Sequence, residues 1–305
     1  MKNITLIDMW EGGHPENTCG YLIEAEKLTL VETGPGPSGE RILDIIKEKG
    51  FRPADLKYVI LTHIHLDHAG AAGYLLRNCP AAQLIVHPSG ARHMADPSKL
   101  IAGARTAFED FDTRFHQIFP VPEERIIAIA DQSTLDLGDR QLTFYHGRGH
   151  ANHHLTIMDS LTNGLFSGDL LGIFAPEFGA YNIEYSLFSS PPNQFHPEAY
   201  AQSLEMVRSL HPDTIYFSHY GTKTGLTDYY LDLCFKNLNA YCEIAQDVCS
   251  NESPTWQEID RRIASMVKEA IVKMGWPKER DLPAFIKSNI ALNAKGLFDW
   301  WQKNH

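Results

Sequence analysis

The spacing of apolar residues changes character once along this chain. Before about Thr227, short runs rich in β-branched and aromatic residues alternate with helical stretches, and after it only the helical period remains. "MKNITLIDMW" reads as a first strand, because an acid and a Gly-Gly pair arrive too early for the apolar region of a signal peptide. "NTCGYLIEAEKLTLVETG" reads as two strands around the polar "EAEK", a hairpin. "PSGERILDIIKEKG" predicts a helix with Ser38 as N-cap, Ile42, Ile45 and Ile46 on its inner face, and Gly50 as its stop. The nearly all-apolar "LKYVILTH" and "LIVHP" predict strands buried on both faces, with a helix from "GAAGYLLRNC" between them. Residues 95 to 118 read as helical. "RIIAIA", "STLDLGDRQLTFYH", "HLTIMDS" and "GLFSGD" then predict a second series of strands, followed by a helix begun near Pro197 and a closing strand in "DTIYFSHYG".

Two halves of this kind, strands first and then alternating helix and strand, predict two sheets packed face to face with helices outside. Beyond them, Leu231, Cys234, Phe235, Leu238, Cys242, Ala245 and Cys249 form one apolar stripe of a long helix. A second helix opens with Thr255 and Glu258 as a capping box and is expected to bury Ile259, Ile263, Met266, Val267, Ala270 and Met274 before Gly275 and Pro277 end it. "PAFIKSNIALNAKGLFDWW" supplies a third. The division expected is 1–225 for the sandwich and 226–305 for a helical C-terminal segment, with Trp300 and Trp301 anchoring that segment on the sandwich or on a second subunit, as in a homodimer.

Composition narrows the function. The 38 acids against 27 bases give a formal charge of -11, which argues against a nucleic-acid surface. No apolar run approaches the roughly 20 residues of a membrane span, so no membrane contact is expected and the location expected is cytoplasmic. Cys19, Cys79, Cys234, Cys242 and Cys249 are an odd set without CxxC spacing, which fits reduced packing residues better than disulfides or a thiolate metal site.

The candidate chemistry lies in "LTHIHLDHAG", where His63, His65, Asp67 and His68 crowd into six positions at the end of a buried strand. Around a tight strand-to-helix turn, His63 and His65 can converge on one point while Asp67 and His68 face another. Such a group, with no Lys or Arg among it, is poorly satisfied without a cation. Further ligands are offered after other predicted strands, as His150 in "GRGHANHH", Asp169 in "LFSGDLLG" and His219 in "IYFSHYG".

The ordered set of a "VETG" turn, "HIHLDH", a Gly-His element, a Ser-Gly-Asp element and "SHYG" resembles the metallo-β-lactamase superfamily over about the first 225 residues. It looks closer to the lactonase and glyoxalase side than to true β-lactamases. The resemblance implies an α/β fold, an αββα sandwich of two mixed sheets flanked by helices, with a helical C-terminal extension here. It implies two divalent transition metals, zinc before iron or manganese: His63, His65 and His150 would hold one, Asp67, His68 and His219 the other, and Asp169 would bridge them. The implied activity is hydrolysis of a small ester, thioester or lactone by a metal-bridging hydroxide, with Asp67 as the catalytic residue that orients it. An iron-dependent oxidoreductase, of sulfur dioxygenase or flavodiiron type, is the alternative on the same fold, although flavodiiron relatives carry Glu where this chain has His65. Two departures stand out. Glu32 replaces the family's usual Asp in the strand-end turn, and His153 is added beside His154, the familiar supporting position; His153 is expected to support rather than to ligate. Tyr181, Tyr185, Tyr220 and His14 are candidates near the substrate side without an assigned role.

Overall fold

The structure, a computed structural model, describes residues 3–305; Met1 and Lys2, the start of the first predicted run, lie outside the described residues. Among the described residues, twelve strands form two six-stranded sheets. The first contains β1 (Ile4–Asp8), β2 (Cys19–Ile23), β3 (Thr29–Val31), β4 (Tyr58–Ile60), β5 (Gln83–Val86) and β6 (Ile126–Ala128) in chain order. The second contains β7 (Thr134–Asp136), β8 (Gln141–His146), β9 (Leu155–Asp159), β10 (Gly164–Gly168), β11 (Thr214–Phe217) and β12 (Gly221–Thr224), also in chain order. Both are mixed. Antiparallel hairpins open each sheet, and parallel pairing takes over from β3 to β6 and between β10 and β11.

The period of two explains the layering. Along the first sheet, Tyr21, Ile23, Val31, Ile60 and Ile85 face one cluster, which they share with Leu142, Phe144, Leu155, Ile157 and Phe166 of the second sheet. Their neighbours Leu22, Leu30, Val59, Leu84 and Val86 face the opposite way, onto Ile42, Ile46, Leu75 and Leu76. Those four belong to the helices Ser38–Glu48 and Ala72–Asn78, which cover the outer face of this sheet. The strands read as continuous apolar runs because both faces are buried, and each core Leu or Ile contributes about 1.5–3 kcal/mol by leaving water.

The chain forms two compact units. One takes in the chain up to His146, His153–Gly168 and Thr214–Thr222, hence both sheets except the end of β12. The other takes in Gly147–Asn152, Asp169–Asp213 and Lys223–His305, so that the helix Pro197–Leu210 groups with Thr227–Cys249, Trp256–Lys273 and Ala284–Asn304. Within this second unit Phe188 packs on Tyr200 and Tyr241, with ring centroids 4.6 and 5.3 Å apart. Asn293 ties the last helix to the loop before the helix Pro197–Leu210, accepting from the Ser190 amide and donating to the Phe188 carbonyl, each at 2.6 Å.

Several local expectations are corrected. Ser38 does not cap its helix, for which Pro37 is the N-cap position; its hydroxyl donates to the Met9 carbonyl at 2.8 Å. The buried stripe of Thr227–Cys249 is rotated from the expected one and includes Tyr230, Asn237, Tyr241 and Val248, while Phe235, Cys242 and Cys249 sit at its margin. Thr255 caps its helix by accepting from the Glu258 amide at 3.3 Å, but the Glu258 carboxylate pairs with Arg261, so only half of the capping box forms. That helix buries Ile259, Ile263, Val267 and Ile271; Met266 and Ala270 are half-buried and Met274 is exposed. All five cysteines are free thiols. Among the described residues no helix is long and apolar enough to cross a membrane.

Candidate metal centre

At the end of β4 the backbone leaves the sheet and turns within five residues into the short helix Leu66–Ala69, for which His65 is the N-cap position. This turn brings His63, His65, Asp67 and His68 to one place, and the end of β11 brings His219 beside them. Asp67 Oδ2, His68 Nε2 and His219 Nε2 form a triangle with edges of 3.3, 3.4 and 3.5 Å. A tetrahedral cation about 2.1 Å from each ligand requires donor atoms about 3.4 Å apart. The donor set therefore fits a divalent metal, and imidazole with carboxylate and no thiolate suits zinc, iron or manganese. A second pair of donors, His63 Nε2 and His65 Nδ1, lies 3.0 Å apart.

His63, His68 and His219 are each held from behind, which fixes the nitrogen they present. Thr62 gives its hydroxyl proton to Glu32 Oε1, so toward His63 Nδ1, 3.1 Å away, it accepts. His63 then carries its proton on Nδ1 and offers Nε2. Glu32 Oε1 lies 3.5 Å from His68 Nδ1 and also accepts from Ser218 Oγ at 3.1 Å. His219 Nδ1 faces the Asn17 carbonyl at 2.8 Å and Thr18 Oγ1 at 3.2 Å, so Nε2 is again the nitrogen turned to the donors. Glu32, fully buried with a φ of 67°, thus supports two sides of the centre despite its extra methylene. His153 accepts from the Ile64 amide at 3.4 Å and its ring lies parallel to His63, with centroids 6.2 Å apart. His154 is tilted against His63 at 5.1 Å. Burial pushes the Asp67 carboxyl up, but the charge of His68 and the hydrogen bonds from His219 and His68 hold it well below the usual carboxylate range.

The other two predicted ligands lie in the second unit, where His150 Nε2 is 3.5 Å from Asp169 Oδ2. Tyr200 positions both segments. Its hydroxyl donates to the Leu170 carbonyl at 2.9 Å and lies 3.2 Å from that of Asp169. Its backbone meets Gly149, where φ is +126° and a Cβ would stand 2.3 Å from the Tyr200 Cα. Ser203 Oγ and the His196 amide bind the carbonyls of Arg148 and Gly149, at 2.6 and 3.0 Å.

Of the four residues left without a role, Tyr185 is buried and accepts from Asn237 at 3.5 Å, and Tyr181 accepts from Arg280 at 3.0 Å. Tyr220 is half-buried against the inter-sheet cluster, and His14 is exposed. Residues that sequence reasoning did not single out are Glu11, Thr18, Thr62, Arg114, Tyr200 and Ser218. Thr62 and Ser218 each immediately precede a predicted ligand, a signal that could have been used; Arg114 lies 103 residues from its partner Glu11.

The model of the metallo-beta-lactamase superfamily matches residues 16–219, and the chain belongs to that superfamily. A metallo-beta-lactamase fold-containing protein of Sulfurisphaera tokodaii is 26% identical over 212 residues, 68% of this chain and 74% of that protein. An N-acyl homoserine lactonase of Agrobacterium fabrum is 35% identical over 122 residues, so the match takes in 40% of this chain and 42% of the lactonase. Among solved structures, an archaeal superfamily protein from Sulfolobus tokodaii aligns with a TM-score of 0.68 at 19% identity, over 97% of this chain and 98% of its own. A family protein from Thermus thermophilus aligns with a TM-score of 0.70 at 16% identity, over 99% of this chain and 94% of its own. These likenesses show the fold: the αββα arrangement of two mixed sheets with helices and a helical C-terminal region, as expected from the sequence.

Proposed function

We propose that this chain is a binuclear metal-dependent hydrolase acting on a small ester, thioester or lactone. His63, His65 and His150 would hold one cation, Asp67, His68 and His219 would hold the other, and Asp169 would serve both. The observation that carries the reading is the common orientation of His63, His68 and His219, each held at Nδ1 by a hydroxyl, carboxylate or carbonyl and each presenting Nε2. When bound, two such cations supply a water of near-neutral pKa and a Lewis acid for the acyl oxygen. Asp67 is ionised at neutral pH; its Oδ2 faces the two imidazoles, and Oδ1 accepts a hydrogen bond from the attacking water and so orients it. Water adds to the acyl carbon and the carbon–oxygen or carbon–sulfur bond breaks, with no Ser or Cys nucleophile required. The lactonase relative supports a lactone among the substrates, and the excess of acids supports a small molecule over a nucleic acid.

The test is an anaerobic assay of the metal-loaded protein on acyl-lactones, aryl esters and acyl thioesters at neutral pH, with a parallel experiment supplying oxygen and a persulfide. Hydrolysis without oxygen is expected, and Asp67→Asn should lower kcat more than it raises KM. Silence across the anaerobic panel together with oxygen consumption in the parallel experiment would replace this reading with the iron oxidoreductase.

A further inference from the structure

A buried carboxylate outside the ligand set reaches the centre through one side chain. Glu11 begins a single turn, Glu11–Gly13, and is only 4% exposed. Its Oε2 accepts from Thr18 Oγ1 at 2.5 Å and its Oε1 from Arg114 Nη1 at 3.0 Å. Thr18 is fully buried. A hydroxyl has one proton, and Thr18 gives it to Glu11. Toward His219 Nδ1, 3.2 Å away, Thr18 can therefore only accept. The Asn17 carbonyl, 2.8 Å from the same nitrogen, also only accepts. Both contacts require a proton on Nδ1, which leaves Nε2 to face Asp67 and His68.

Without Glu11, nothing in this chain of contacts dictates the direction of the Thr18 hydroxyl. Turned toward the imidazole, its proton would oppose the Nδ1 proton that the Asn17 carbonyl still accepts, so this second contact would be lost and the ring held less firmly. Arg114 holds the far oxygen of Glu11 and thereby its rotamer, while Asp110 pairs with the same guanidinium at 3.0 Å. We infer that Glu11 is a positioning residue that acts through Thr18, making its hydroxyl a second acceptor behind His219 Nδ1 and so holding the ring with Nε2 toward the donors, and that Arg114 anchors it from the segment Phe111–Arg114. The inference rests on Asp67, His68 and His219 forming one metal-binding group.

Cobalt(II) titration of the metal-free protein tests it, with d–d absorption reporting coordination and chelator competition reporting affinity. Wild type, Glu11→Gln, Thr18→Val and Thr18→Ser are compared. Loss of an outer hydrogen-bond partner weakens metal binding about 10–100-fold. The expected result is a fall of this size for one of two cobalt equivalents in Glu11→Gln and Thr18→Val, an altered d–d spectrum for that equivalent, and wild-type behaviour in Thr18→Ser. A merely structural role would loosen both equivalents alike. Equal weakening of both, unchanged affinity in both variants, or Thr18→Ser as weak as Thr18→Val would overturn the inference. Wild type that binds two cobalt ions yet hydrolyses nothing would sink the proposed reaction and leave this inference standing, whereas wild type that binds no cobalt would overturn both.

Discussion

Glu32→Gln is the sharpest single perturbation of the scaffold behind the centre. The Glu32 carboxylate is fully buried and accepts from the hydroxyls of Thr62 and Ser218. With a neutral amide oxygen in its place, each bond falls from the range for charged groups, about 1.5–3 kcal/mol, to that for neutral ones, about 0.5–1.5, a loss of about 1 kcal/mol each. The new amide nitrogen takes the place of Oε2, a buried atom with no hydrogen-bond partner. Its unmade donor bonds add about 1–3 kcal/mol. The sum, about 3–5 kcal/mol, is a large part of the roughly 5–15 kcal/mol that stabilises a typical domain. Urea unfolding of the metal-free protein at pH 7 should show a lower midpoint at unchanged slope. The same variant should bind metal more weakly, because His68 loses the carboxylate behind Nδ1. A midpoint shift worth less than about 1 kcal/mol would refute the hydrogen-bond reasoning.

Asp67 makes the metal-free protein acid-sensitive. Its carboxyl is held below its unfolded value, so the stability it contributes is fully present above that value, about pH 4, and is lost as pH falls through the lowered folded value. The stability gap between wild type and Asp67→Asn should therefore shrink below about pH 4; a gap that persists unchanged into strong acid would count against this. Gly149→Ala should destabilise by about 2–5 kcal/mol, from backbone strain at φ +126° and a Cβ driven into the Tyr200 backbone. Wild-type melting behaviour of that variant would show that the turn holding His150 is looser than described.

The strands were legible because alternate residues bury on opposite faces, as Leu22 and Tyr21 do, so their runs are apolar and bounded by turns. The "HIHLDH" cluster was legible because its donors are neighbours in sequence as well as in space. What escaped was set by partners distant in the chain. Ser38 had the residue type of an N-cap, but the Met9 carbonyl competes for its hydroxyl. The stripe of Thr227–Cys249 was misplaced because Tyr230, Tyr241 and Asn237 bury polar-tipped side chains that an apolar count passes over. β12, "GTKT", is too short and polar to read as a strand, and is one because β11 lies beside it. Glu11, Thr18 and Arg114 share no spacing that would join them. Glu32 was visible as a departure from the family, but its bonds to Thr62 and Ser218 needed coordinates.

The metal content of the purified protein, measured by elemental analysis after reconstitution with zinc, iron or manganese, tests the central claim most directly. The account predicts close to two transition metals per chain, with loss of metal in His63→Ala and Asp169→Ala. A chain that remains folded and takes up none of the three metals would contradict it.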